Sequence, residues 1–138
     1  MMVKLIMGEK GSGKTKQIIE MVNEAVSQEK GSVVCIEKGD KLRFDISYGA
    51  RLVDVSDYWV EGYHGLLGFL CGIHAGNYDV AKIFIDSLYK IVNDESAEDA
   101  EKFLRWLEKF SDEHQVDFVV TISASKDAAT EKMKAMMD

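Results

Sequence analysis

The sequence predicts an α/β fold: a mostly parallel central sheet of about five strands, layered between helices, with a short hairpin at one edge. Three observations carry this. The apolar run Val3–Met7 is joined through a glycine-rich stretch to an amphipathic helical pattern. Continuous apolar runs recur at Ser32–Ile36, Ile83–Asp86 and Asp117–Ile122, as in strands buried on both faces. Helical stretches lie between several of these runs, so the chain reads as right-handed crossover units. A length of 138 residues is enough for one domain, residues 1–138, around one core.

The elements follow in order. Ile18, Ile19, Val22, Ala25 and Val26 recur at helical spacing after the glycine-rich stretch, and that helix should end between Gln28 and Gly31. Gly31 and Glu37-Lys38-Gly39-Asp40 bound the second strand. Leu42, Phe44 and Ile46 then alternate with polar residues, the pattern of a half-exposed strand in an edge hairpin. Tyr48-Gly49-Ala50 gives a turn, and Arg51–Val55 a further short strand. A helix is expected within Ser56–Gly76, despite Gly62, Gly65, Gly68 and Gly72. Gly68, Gly72 and Gly76 at intervals of four leave one flat stripe, which suits either close packing on the sheet or contact with another copy. Gly76 should end that helix in left-handed geometry. Ser96 with Asp99 makes a capping box for a helix whose apolar stripe is Ala100, Phe103, Leu104, Leu107 and Phe110. Ala129, Met133, Met136 and Met137 mark a short C-terminal helix.

Composition narrows the function classes. A net charge of −7 disfavours a nucleic-acid partner, since phosphate backbones attract an excess of Lys and Arg. Cys35 and Cys71 are too few for a disulfide scaffold or a cysteine-rich zinc site. His64, Cys71 and His74 do not supply a zinc ligand set. No secretory leader and no apolar segment near membrane-spanning length is evident, so a cytoplasmic protein without a membrane partner is expected.

The chemistry centres on Gly8-Glu9-Lys10-Gly11-Ser12-Gly13-Lys14-Thr15, which satisfies G-x-x-x-x-G-K-[ST], the phosphate-binding P-loop (Walker A). Its context is also right, with a strand before and a helix after. Gly8, Gly11 and Gly13 allow backbone angles and close approach that a Cβ would obstruct. The N–H groups around Ser12 and Gly13 and the positive end of the following helix suit an anion. Lys14 would reach the β- and γ-phosphates, and the Thr15 hydroxyl would ligate Mg²⁺. Asp86, at the carboxyl end of an apolar strand, is placed to hold the same ion; a cap for the loop at Ser87 is the alternative.

With the P-loop, Asp86-Ser87 and the strand ending in Thr121 and Ser123, the chain resembles the RecA/KaiC-like branch of P-loop ATPases. The resemblance implies a three-layer P-loop NTPase-like fold, in which the last strand lies between the P-loop strand and the acid-bearing strand. It also implies that Glu37 activates the attacking water, although an ordinary polar turn explains Glu37 as well. Thr121 and Ser123 fall where that branch senses the γ-phosphate. The chain is further similar to a group of small, uncharacterised bacterial ATP-binding proteins.

The function so implied is Mg²⁺-dependent binding of ATP or another nucleoside triphosphate, with slow or partner-stimulated hydrolysis used as a switch or in an assembly. Lys14 and Glu37 are the catalytic candidates. With only Arg43, Arg51 and Arg105 present, charge relief must come from Lys14, Mg²⁺ or another protomer; Lys126, just after the last strand, is a further candidate. Two alternatives stand beside this. A small nucleoside or nucleotide kinase would resemble zinc-type thymidine kinase, but Ser87 follows Asp86 where that enzyme has glutamate, and no Cys-x-x-Cys follows. The other is a non-catalytic module whose nucleotide state controls a protein partner or a homo-oligomer.

Overall fold

The structure is a computed structural model that describes residues 2–137. Its centre is a five-stranded sheet of β1 (Val3–Gly8), β2 (Ser32–Glu37), β3 (Ala50–Asp54), β4 (Val80–Ile85) and β5 (Asp117–Ser123). The strands run β1-β5-β4-β2-β3, and every neighbouring pair is parallel. The last strand thus lies between β1 and the strand that ends at Asp86, the order the resemblance implied.

Parallel pairing requires crossovers, and helices provide most of them: α1 (Lys14–Gln28), α2 (Gly62–Gly76), α3 (Leu88–Val92) with α4 (Ala97–His114), and α5 (Glu131–Ala135) after the sheet. Alternate side chains sort the core into two clusters. On one face Ile18, Val22 and Ala25 of α1 pack with Val33, Cys35, Phe84 and Val119. On the other, Leu66 and Leu70 of α2 and Phe103, Leu104 and Leu107 of α4 cover Leu5, Val34, Ile36, Ile83 and Val120. Helices therefore flank both faces, and the strands are mostly apolar because most of their side chains are covered on either face.

The expected edge hairpin is absent. Residues 40–49 form turns, closed by Arg43 N–H to Asp40 C=O (3.3 Å) and Asp45 N–H to Leu42 C=O (3.0 Å). Leu42 is buried at 1 % exposure under α1, whereas Phe44 stands 86 % exposed. Asn23 of α1 holds the far side, donating to Asp45 C=O and accepting from Ser47 N–H. Tertiary bonds to the backbone thus win over a weak alternating pattern.

Two further expectations are corrected. Val55 leaves the strand, because the Asp54 carboxylate accepts from Ser56 N–H at 2.9 Å and caps a single 3₁₀ turn, Val55–Asp57. Gly76 is the last residue of α2 and is not left-handed; the helix closes on Asn77, whose N–H donates to Ile73 and His74 C=O. Gly68, Gly72 and Gly76 do not pack on the sheet either, since a Cβ at each would meet nothing within 4 Å. Instead they line an open groove beside β3. At the other edge of the sheet, Leu5 N–H of β1 donates to Met136 C=O at 3.0 Å, so the C-terminal segment covers β1.

Candidate functional site

All five strands point their carboxyl ends the same way, and in a parallel sheet that end is where ligands gather. Here it carries a cavity of about 790 Å³ lined by Gly11, Gly13, Lys14, Thr15, Asp86 and Ser123, joined by Lys10, Lys41, Lys90 and Glu95 among others. That volume lies in the usual range for a small-molecule site. The strand order explains the gathering: β1 brings the glycine-rich loop, β5 brings Ser123, β4 brings Asp86, and β2 brings Lys41.

The loop owes its shape to two glycines. Gly11 (φ 88°) and Gly13 (φ 91°) sit in the left-handed region, where other residues are strained. Gly8 serves differently, since a Cβ there would collide with the Ser12 side chain. Gly13 is also the residue at which α1 begins, and no side chain caps that helix. The first N–H groups of α1 therefore have no side-chain acceptor, the arrangement that favours an anion. Lys14 is 8 % exposed, and its Nζ donates to Glu9 C=O at 2.9 Å and Ser12 Oγ at 3.3 Å. The ammonium is thus stored against the loop it belongs to.

Asp86 is held by a relay. Ser87 N–H donates to Thr121 Oγ1 at 2.7 Å, and Thr121 Oγ1 donates to Asp86 Oδ1 at 2.7 Å. Ser87 itself takes φ 60°, ψ 62°, a conformation costly for a residue with a Cβ, and the relay holds it there. Thr121 is fully buried, so it does not face the cavity as a phosphate-sensing residue would; it orients Asp86. Ser123, two residues on, is exposed and lines the cavity.

Glu37 is 3 % exposed and does not line the cavity. Its Oε2 accepts from Leu42 N–H at 3.2 Å. Burial pushes its pKa up, the Leu42 and Lys41 N–H groups oppose that, and the neighbouring charges of Asp86 and Asp54 add to the rise. Cys35 lies deeper, and burial foremost, then Asp86 and Glu37, pushes its thiol up. It is an inert core residue.

Of the residues singled out in the sequence, Gly11, Gly13, Lys14, Thr15, Asp86 and Ser123 come together, while Gly8, Ser12, Thr121 and Glu37 support them from behind. Lys126 lines a smaller cavity beside the loop, with Gly8, Ser12, Lys14 and Gln17. Lys41, Tyr89, Lys90, Asn93 and Glu95 escaped sequence reading. Most sit on or beside α3, a five-residue helix too short to show a period.

Thr15 and Asp86 both line the cavity and offer oxygen donors, the type Mg²⁺ prefers. Among the described residues no group of three or more His, Cys, Asp or Glu could hold a metal ion. Two oxygen donors do fit Mg²⁺, which usually keeps several waters and shares substrate phosphates. Among the described residues no helix is long and apolar enough to cross a membrane. Compared with models of known protein families and with curated proteins, the sequence finds no match.

Proposed function

We propose that the chain is a small P-loop protein of three-layer α/β architecture that binds Mg²⁺ with ATP or another nucleoside triphosphate and hydrolyses it slowly, as a switch or within an assembly. The observation that carries this reading is the meeting of Gly11, Gly13, Lys14, Thr15, Asp86 and Ser123 around one cavity lined by four lysines against two carboxylates. In a chain of net charge −7, that local excess of positive charge suits a polyanion.

In this reading the loop N–H groups and the start of α1 receive phosphate oxygens, and Lys14 exchanges Glu9 C=O and Ser12 Oγ for the β- and γ-phosphates. Thr15 and Asp86 would hold Mg²⁺, with Thr121 fixing the Asp86 carboxylate. The bound ion would offset charge on the phosphates. Slow turnover follows from Glu37, whose carboxylate is buried, engaged by the Leu42 N–H and not part of the cavity lining.

The test is calorimetric titration with ATP, with and without Mg²⁺, on wild type and Lys14→Ala, each checked by thermal unfolding. Wild type should bind only weakly without magnesium, and Lys14→Ala should lose about 10- to 100-fold in affinity, as for a charge-assisted bond. Absence of binding by folded wild type overturns the reading. Phosphate release measured alongside separates hydrolysis from a non-catalytic switch. A kinase is tested by transfer of the γ-phosphate to nucleosides, since the cavity continues past Asp86 to Asn93 and Glu95.

A further inference from the structure

We infer that Lys41 is the cation this chain supplies in cis to the transferring phosphoryl group, and that Glu37 is the positioning residue that holds Lys41 in place. The inference rests on the nucleotide reading above. In hydrolysis a water oxygen bonds to the γ-phosphorus while the bond to the β,γ-bridging oxygen breaks, leaving its electron pair on the diphosphate. The water proton passes to the released phosphate. Charge spreads over the equatorial oxygens in the transition state, so a cation opposite the P-loop acts where charge develops.

No arginine lines the cavity, although Arg43, Arg51 and Arg105 all lie within the described residues. Its four lysines have different surroundings. Lys10 and Lys14 belong to the loop itself. Lys90 projects from α3, the short helix that follows β4. Lys126 does not line this cavity; it lies in a smaller one that Lys14 also lines, with Gly8, Ser12 and Gln17. Lys41 follows β2, and β2 is the neighbour of β4 on the side away from β5 and β1. Lys41 therefore reaches the cavity from beyond Asp86, facing the glycine-rich loop across the metal-binding position.

A lysine on a surface turn is ordinarily too mobile to serve a transition state, and here its root is fixed. The Glu37 carboxylate receives the N–H of Leu42, the residue next to Lys41, and the Leu42 side chain is inserted beneath α1. Glu37 is buried with no ion-pair partner among the described residues. Such a carboxylate is costly to keep, and what it secures is the backbone from which Lys41 projects.

The experiment compares wild type, Lys41→Ala, Lys41→Arg, Glu37→Gln and the double variant Glu37→Gln/Lys41→Ala. Each is measured for Mg·ATP affinity, for affinity to Mg·ADP with aluminium fluoride, and for kcat and KM of phosphate release. Lys41 is exposed, so its variants should fold as wild type does. Lys41→Ala should keep ATP affinity within about threefold, yet lose about 10²-fold in kcat and in affinity for the aluminium fluoride complex. Lys41→Arg should recover most of that loss. Glu37→Gln should lower kcat with KM little changed, and should cost nothing further in the Lys41→Ala background, as expected for residues that act as one unit.

Equal losses of ATP and aluminium fluoride affinity in Lys41→Ala, or no loss of either, overturn the inference. So does a wild type that binds ATP but holds the aluminium fluoride complex no more tightly than ADP. Failure of wild type to bind ATP at all is a different result and falls on the nucleotide reading.

Discussion

Thr121 carries no charge and meets no solvent, yet two groups at the end of β4 depend on its hydroxyl. It accepts from Ser87 N–H and donates to Asp86 Oδ1, so one oxygen fixes both a left-handed backbone and the direction of an acid. Thr121→Val keeps the shape and removes both bonds. It should cost about 1–3 kcal/mol in urea unfolding, because a backbone N–H and a carboxylate oxygen lose their partner. Magnesium-dependent nucleotide affinity should fall with it, whereas Thr121→Ser should retain both properties. A Thr121→Val protein with unchanged stability and affinity would remove the relay from the account. Asp86, just after β4, was legible because an acid after an apolar run is a local signal. The contact between Thr121 and Asp86 was not, since only the pairing of β4 with β5 brings residues 35 apart within hydrogen-bond reach.

Elements whose periods run long were legible: α1, the capped α4, and the four apolar strands beside the cavity fall close to where the pattern puts them. Ser96 does cap α4, accepting from Asp99 N–H at 3.2 Å. The turns at 40–49 were not legible, because Glu37 and Asn23 capture their backbone and neither contact is written in local alternation. Nor was α3, bracketed by Ser87 and Asn93, both left-handed. Within α4 one residue works against its own element. Ser111 is 1 % exposed, and its hydroxyl has no hydrogen-bond partner among the described residues. Ser111→Ala should therefore stabilise the protein by about 1 kcal/mol, from relief of an unpaired polar atom and a better helix former. Chemical denaturation measures this directly, and a loss of stability would mean that the hydroxyl is hydrogen-bonded after all.

Across the whole molecule, ionisable groups pull the pH dependence of folding in opposite senses, and Glu37 is a buried carboxyl set against neutral pH. Burial raises its folded pKa above its ordinary value of 4.5, with Asp86 and Asp54 adding to the rise and the Leu42 and Lys41 N–H groups opposing it. The folded chain then holds the Glu37 proton more tightly than the unfolded chain. Its contribution is most favourable below the unfolded value and is lost as pH rises through the folded one. Asp54 and Glu101 act the other way: held low chiefly by the Ser56 and Thr130 hydroxyls, they favour folding above their unfolded values and lose that as pH falls. A stability curve of wild type alone mixes these effects, but its difference from Glu37→Gln isolates one carboxyl. Glutamine has no proton to lose in this range. The difference should move steadily against wild type as pH is raised from about 4.5 toward neutrality, then level off once Glu37 is ionised in both states. A difference independent of pH would mean that the Glu37 carboxyl is not set apart from its ordinary value by burial. A difference moving in favour of wild type would mean that the two N–H donors outweigh burial, with Glu37 behaving as a well-stabilised anion.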